Sequence, residues 1–162
     1  LNKYLTNIST LVNLVNRRFS EVVLYTLFQW TKALGINSDR ARQWVNKGYI
    51  GPSVPAEGQG KAALFSVDNI VEASVFKALV DFGMARDAAA MVLFEMSGWQ
   101  VINEEPARFV RVSFFSNSTV KTEFYWNRKG PEMLMERGAK LALIVNIEGV
   151  AETVRMALTG EQ

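Results

Sequence analysis

The chain of 162 residues is almost half hydrophobic, a fifth charged and close to neutral at +2, the composition of an ordinary globular protein with a core, in one domain or two small ones. It contains no cysteine and no histidine, which excludes disulfides, thiolate chemistry, histidine-based metal sites and Ser-His-Asp or Cys-His catalysis. The charge is uneven: residues 1–66 carry eight basic and three acidic side chains, residues 67–162 ten basic and thirteen acidic, an asymmetry that points to a polyanionic partner for the first part.

Residues 1–23 read as an N-terminal extension. No stretch of the chain attains the roughly 18–20 unbroken apolar residues of a membrane span. "LNKYLTNISTLVNLVNRRF" is a poor signal peptide, because asparagines break the apolar run and the arginines follow it. A cytoplasmic protein fits these features and the lack of cysteine. Leu5, Ile8, Val12, Val15 and Phe19 recur at helical spacing. This suits an amphipathic helix packed on the body or on a second subunit, and equally an extension from an early start codon that never folds. The first residue, Leu1, fits a non-standard start or a trimmed chain.

Thr26 to Leu34 is expected to be a short helix, with Thr26 as N-cap, Gln29 at capping-box spacing and Gly35 as its stop. Leu27, Trp30, Thr31 and Leu34 share one face. Asn37 caps a second helix running to about Lys47, with Gly48 as its stop. The connection through Gly35 and Ile36 has the tightness of a helix-turn-helix. Ala41, Trp44 and Val45 should face inward. Asp39, Arg42, Gln43 and Asn46 then point outward, flanked by Ser38 and Arg40.

"GYIGPSVPAEGQGKAALFS" reads as two extended pieces joined by a turn at Glu57–Gly60, a small β-wing. Ser66 caps a third helix over 67–82, with Val71, Val75, Leu79 and Phe82 on one face and Gly83 as its stop. A fourth helix runs from about Arg86 to Ser97 and ends at Gly98. "NEEPA" is a linker, so Glu104 and Glu105 are surface residues and not an acid–base pair.

The remainder, 108–160, reads as a ββ(α)βα unit. "RFVRVSFFS" and "TVKTEFYWN" form a hairpin with a turn near Asn117–Ser118. Val120, Thr122, Phe124 and Trp126 alternate with polar neighbours, which predicts one buried face. A short helix follows at 131–137. "AKLALIVNI" suits a central strand, and "EGVAETVRMALTG" is a closing amphipathic helix with Val150, Val154 and Leu158 on one side.

Over 24–98 this order resembles the DNA-binding domain of the MerR family. The likeness is carried by Arg42, Trp44 and Gly48, at the spacing of that family's Arg-x-aromatic-x3-Gly motif. It is carried also by Phe65, Ser66, Asp68 and Gly83, where the family has an aromatic, a helix cap, an acid and a glycine stop. The chain departs from the family in several places. Ala63 stands where an arginine usually precedes the wing aromatic, with Lys61 nearby, and Gln43 stands where a tyrosine is common. The long dimerising helix and the metal-sensing cysteines are missing. The likeness is therefore to a truncated MerR-like winged helix, as in phage regulators, excisionases and small terminase subunits.

The implied fold is α+β: a MerR-like winged helix-turn-helix followed by a small hairpin, strand and helix unit. The implied function is sequence-specific binding of double-stranded DNA by a transcriptional regulator, with the helix at 38–47 in the major groove. Arg40, Arg42, Gln43 and Asn46 have the chemistry to read base edges. Lys47 and Lys61 suit phosphates, as does Ser38 at a helix N-terminus. Paired half-sites suit a homodimer, formed through the hairpin edge and the closing helix. No cofactor, metal or enzymatic activity is expected, and "EGQGK" lacks Walker A spacing. Two other readings stay open. One is an architectural DNA binder in recombination or packaging. The other is an interaction or ligand-sensing module using Phe114, Phe124 and Trp126. All four tryptophans, Trp30, Trp44, Trp99 and Trp126, read as core residues.

Overall fold

The structure, a computed structural model, describes residues 23–58, 60–103, 108–115, 120–125 and 139–160, with the backbone alone for 98–103. It is mixed α+β. The elements run β1 (Tyr25–Thr26), α1 (Leu27–Ala33), α2 (Ser38–Asn46), β2 (Leu64–Phe65), α3 (Val67–Asp81), α4 (Arg86–Asn103), β3 (Phe109–Phe115), β4 (Val120–Tyr125), β5 (Ala139–Asn146) and α5 (Ile147–Thr159). The N-terminal extension, the hairpin turn near Asn117–Ser118, the helix expected at 131–137 and the side chains of Trp99 and Trp126 lie outside the described residues.

Local chemistry starts the first three helices. The Thr26 hydroxyl accepts from the Gln29 amide while the Gln29 side chain accepts from the Thr26 amide, a reciprocal capping box. Asn37 accepts from the Arg40 amide, and Ser66 with Asn69 repeats the box on α3. The ends of α1 and α2 share one device. Gly35 and Gly48 adopt φ of 62° and 74°, a left-handed backbone that other residues rarely hold. The next residue then turns back to bond the helix: Ile36 N–H donates to Thr31 O at 2.8 Å, and Tyr49 N–H to Trp44 O at 3.0 Å. Both following side chains pack on the core.

One hydrophobic core runs through both parts of the chain. Trp30 meets the Phe65 ring edge-on at 5.8 Å and Trp44 meets Phe76 at 5.2 Å, an arrangement that suits the ring quadrupoles. Ile70, Val75, Phe76 and Leu79 of α3 are fully buried. The second sheet is antiparallel in the order β4-β3-β5. Its β3 residues Val110 and Val112 are fully buried, with Phe114, Phe124 and Leu143 packed against the same core. Helix α5 lies on α3, with Val154 buried between. On the other face Arg111 bonds Glu123 and lies over the Tyr125 ring. Burial alone would raise the Glu123 carboxyl, but the Arg111 bonds and charge outweigh it and hold it below its usual range.

Several expectations are corrected. The fourth helix does not stop at Gly98 but continues to Asn103; an interior glycine costs only about 1 kcal/mol relative to alanine and is not by itself a terminator. Phe82 is not on the buried face of α3. The helix ends at Asp81, Phe82 is its C-cap with 53% exposure, and Met84 after the turn fills the core instead. "AKLALIVNI" forms the flank strand β5, and β3 is central. Strand β1, which pairs Tyr25 with Phe65, was not expected. The closing helix turns Val150, Val154 and Leu158 to the chain's own core, against α3. Phe114 and Phe124 are half-buried and pack on the core.

Glu72 is the one clearly uncomfortable charge described. It is half-buried on α3, where Ser97 Oγ donates to it at 3.2 Å. Burial pushes its carboxyl above the usual range, Asp68 adds to this, and the Ser97 bond opposes it. A carboxyl raised in the folded state holds more protons there than in the unfolded chain, so stability falls as pH rises through that window. Glu72→Gln is expected to raise the urea midpoint at pH 7 and to flatten this part of the pH dependence. Midpoints compared at acidic and neutral pH measure both effects.

Candidate nucleic-acid interface

Helix α2 is held against the body from behind. Ala41 and Trp44 are buried and Val45 is half-buried. In front, Asp39, Arg42, Gln43, Asn46 and the capping residue Lys47 are all exposed. At 100° per residue Asp39, Arg42, Gln43 and Asn46 lie opposite Ala41 and Trp44, with Lys47 to one side, so a single helix separates a dry face from a face of hydrogen-bonding groups. Arg42 Nη1 donates to Asp39 Oδ1 at 2.7 Å. Both side chains are open to solvent, and such a pair contributes little to folding.

The flanks of α2 are tied to its neighbours. Thr31 Oγ1 donates to the Leu27 carbonyl at 2.8 Å, so Ser38 Oγ, also 2.8 Å away, donates to Thr31. The Ser38 proton is thus used to fix the turn, and only its acceptor lone pairs remain for any other contact. On the other flank Arg40 Nη2 donates to Asp81 Oδ1 at 3.1 Å and its guanidinium sits 5.3 Å from the centre of the Trp44 ring. Asp81 also binds Lys77 one turn back on α3. The Lys77 bond and the Arg40 charge hold the Asp81 carboxyl below its usual range against the opposing effect of burial. Arg40 therefore braces α2 on α3 and stands at the rim of the outward face.

The wing closes through a two-way backbone bridge: Val54 N–H to Leu64 O at 3.0 Å and Leu64 N–H to Val54 O at 2.9 Å. Its tip turns through Gly58 and Gly60, both with positive φ. On its returning limb Lys61 is exposed, whereas Ala63 is half-buried against the core. No protein-family profile matches the chain, and neither does any curated protein.

Of the residues singled out in the sequence, then, Arg42, Gln43, Asn46 and Lys47 come together on one exposed surface, and Lys61 lies on the wing. Arg40 and Ser38 flank that surface, Arg40 Nη2 bonded to Asp81 and the Ser38 proton to Thr31. Asp81 and Lys77 escaped sequence reasoning. Their i,i+4 spacing marks an ion pair on α3, but nothing local links it to Arg40. Tyr49, just past the Gly48 turn, stacks on Phe76 and donates to Asp87 at 2.7 Å, a bond that raises its phenol. It ties the end of α2 to the start of α4. Among the described residues no three metal-binding side chains stand together, and no helix is long and apolar enough to cross a membrane.

Proposed function

We propose that this protein is a sequence-specific, double-stranded-DNA-binding regulator of MerR-like winged-helix type, with α2 in the major groove and the wing beside it. The observation that carries this reading is the division of α2. A buried Trp44 seats the helix, and Arg42, Gln43 and Asn46 project from the opposite side with the donors and acceptors that distinguish guanine and adenine. A helix of about ten residues fits that groove. Lys47 and Lys61 supply phosphate contacts, which give position and not sequence. The protein acts as a homodimer on paired half-sites, joined through an edge of the β4-β3-β5 sheet; a monomeric mass at micromolar concentration would count against this.

Selection from a random duplex pool is expected to enrich a defined site. Affinity for the winner should then fall linearly with salt on logarithmic axes, with a slope of about −0.9 for each phosphate neutralised. A pool that yields no enriched sequence would sink the reading.

A further inference from the structure

We infer that Asp39 is a specificity-determining residue, and that Asp39 and Arg42 together read one G·C pair. This rests on the proposal that α2 enters the major groove. Asp39 is the only acid of α2 and lies on its outermost surface, where a carboxylate would face phosphate-lined DNA. In a general polyanion binder that position weakens every complex. A carboxylate helps only where a base donates to it, and the N4 amino group of cytosine is that donor. The hydrogen bonding is complementary. Arg42 gives Asp39 Oδ1 one proton from Nη1, which leaves the second Nη1 proton and those of Nη2 for guanine O6 and N7. Asp39 Oδ2 is left as the acceptor. The pair so presents two donors and one acceptor side by side, the pattern that a guanine and its paired cytosine complete. Arg40 stands to the side of this face, where Asp81 and the Trp44 ring engage it.

A purely structural role also exists for an acid in the first turn, where it interacts favourably with the helix N-terminus. The experiment must separate the two. The selected duplex and a set with each base pair replaced are titrated at fixed salt with the parent, Asp39→Ala, Asp39→Asn and Arg42→Ala, and thermal melting of each variant checks its fold. Both Asp39 variants are expected to bind random-sequence duplex more tightly than the parent. They should lose about tenfold of discrimination at one G·C pair, the same pair at which Arg42→Ala loses its preference. The inference is overturned if the Asp39 variants keep every base preference while weakening all duplexes alike. It is overturned too if their lost preference falls at a pair that Arg42 does not read; DNA binding by α2 would stand in both cases. If the parent itself enriches no sequence, both the inference and the proposed function fail.

Discussion

Trp44→Ala is expected to destabilise the fold by about 3–5 kcal/mol, enough to threaten a domain of ordinary stability. Trp44 is 1% exposed, among the largest buried side chains described, and its ring meets Phe76 edge-on. Truncation removes the contact that seats α2 on α3 and also strips the ring beneath the Arg40 guanidinium. The measurement is denaturant unfolding with the slope compared to the parent. Trp44→Phe should cost far less. The indole Nε1 is buried with no hydrogen-bond partner among the described residues, so the smaller ring gives up area but also relieves an unpaired donor. Equal losses from the two substitutions would mean that the indole matters for more than its bulk.

Arg42→Ala is expected to weaken binding to the selected duplex by about 1–3 kcal/mol and to relax preference at one position. Folding stability should hardly change, because the ion pair lost among the described residues is the exposed one with Asp39. Lys47→Ala and Lys61→Ala make the contrast. Each should weaken all sequences alike and reduce the salt slope by about one. An Arg42→Ala protein that binds the winner as tightly as its parent would remove α2 from the groove.

The helices were legible because their signals are local. Thr26 with Gln29, Asn37, and Ser66 each sit beside the amides they cap, and the repeat of Ala41, Trp44 and Val45 assigns the inward face. The outward set of Arg42, Gln43 and Asn46 follows from the same periodicity. Features that depend on distant partners were not legible. Strand β1 exists only because Tyr25 pairs with Phe65 far along the chain. The place of β5 at the sheet flank is decided by its neighbours, not by its composition. Within the candidate site, spacing shows that Ser38 and Arg40 flank the surface, but not that Thr31 takes the Ser38 proton or that Asp81 holds Arg40. Gly98 shows that a glycine alone does not end a helix, and Phe82 shows a helix ending one residue before its expected apolar stripe is complete.

Helix α3 stands as a party wall in this protein. One side of it carries the Phe76 ring and the Asp81 brace that fix α2, and the other receives α5 and, through it, the sheet. Residues 24–98 are consequently no portable unit. Severed from the sheet and α5, they would leave with a raw flank where Val154 and its neighbours had lain. Grafting them onto another body would succeed only with a replacement for that lining.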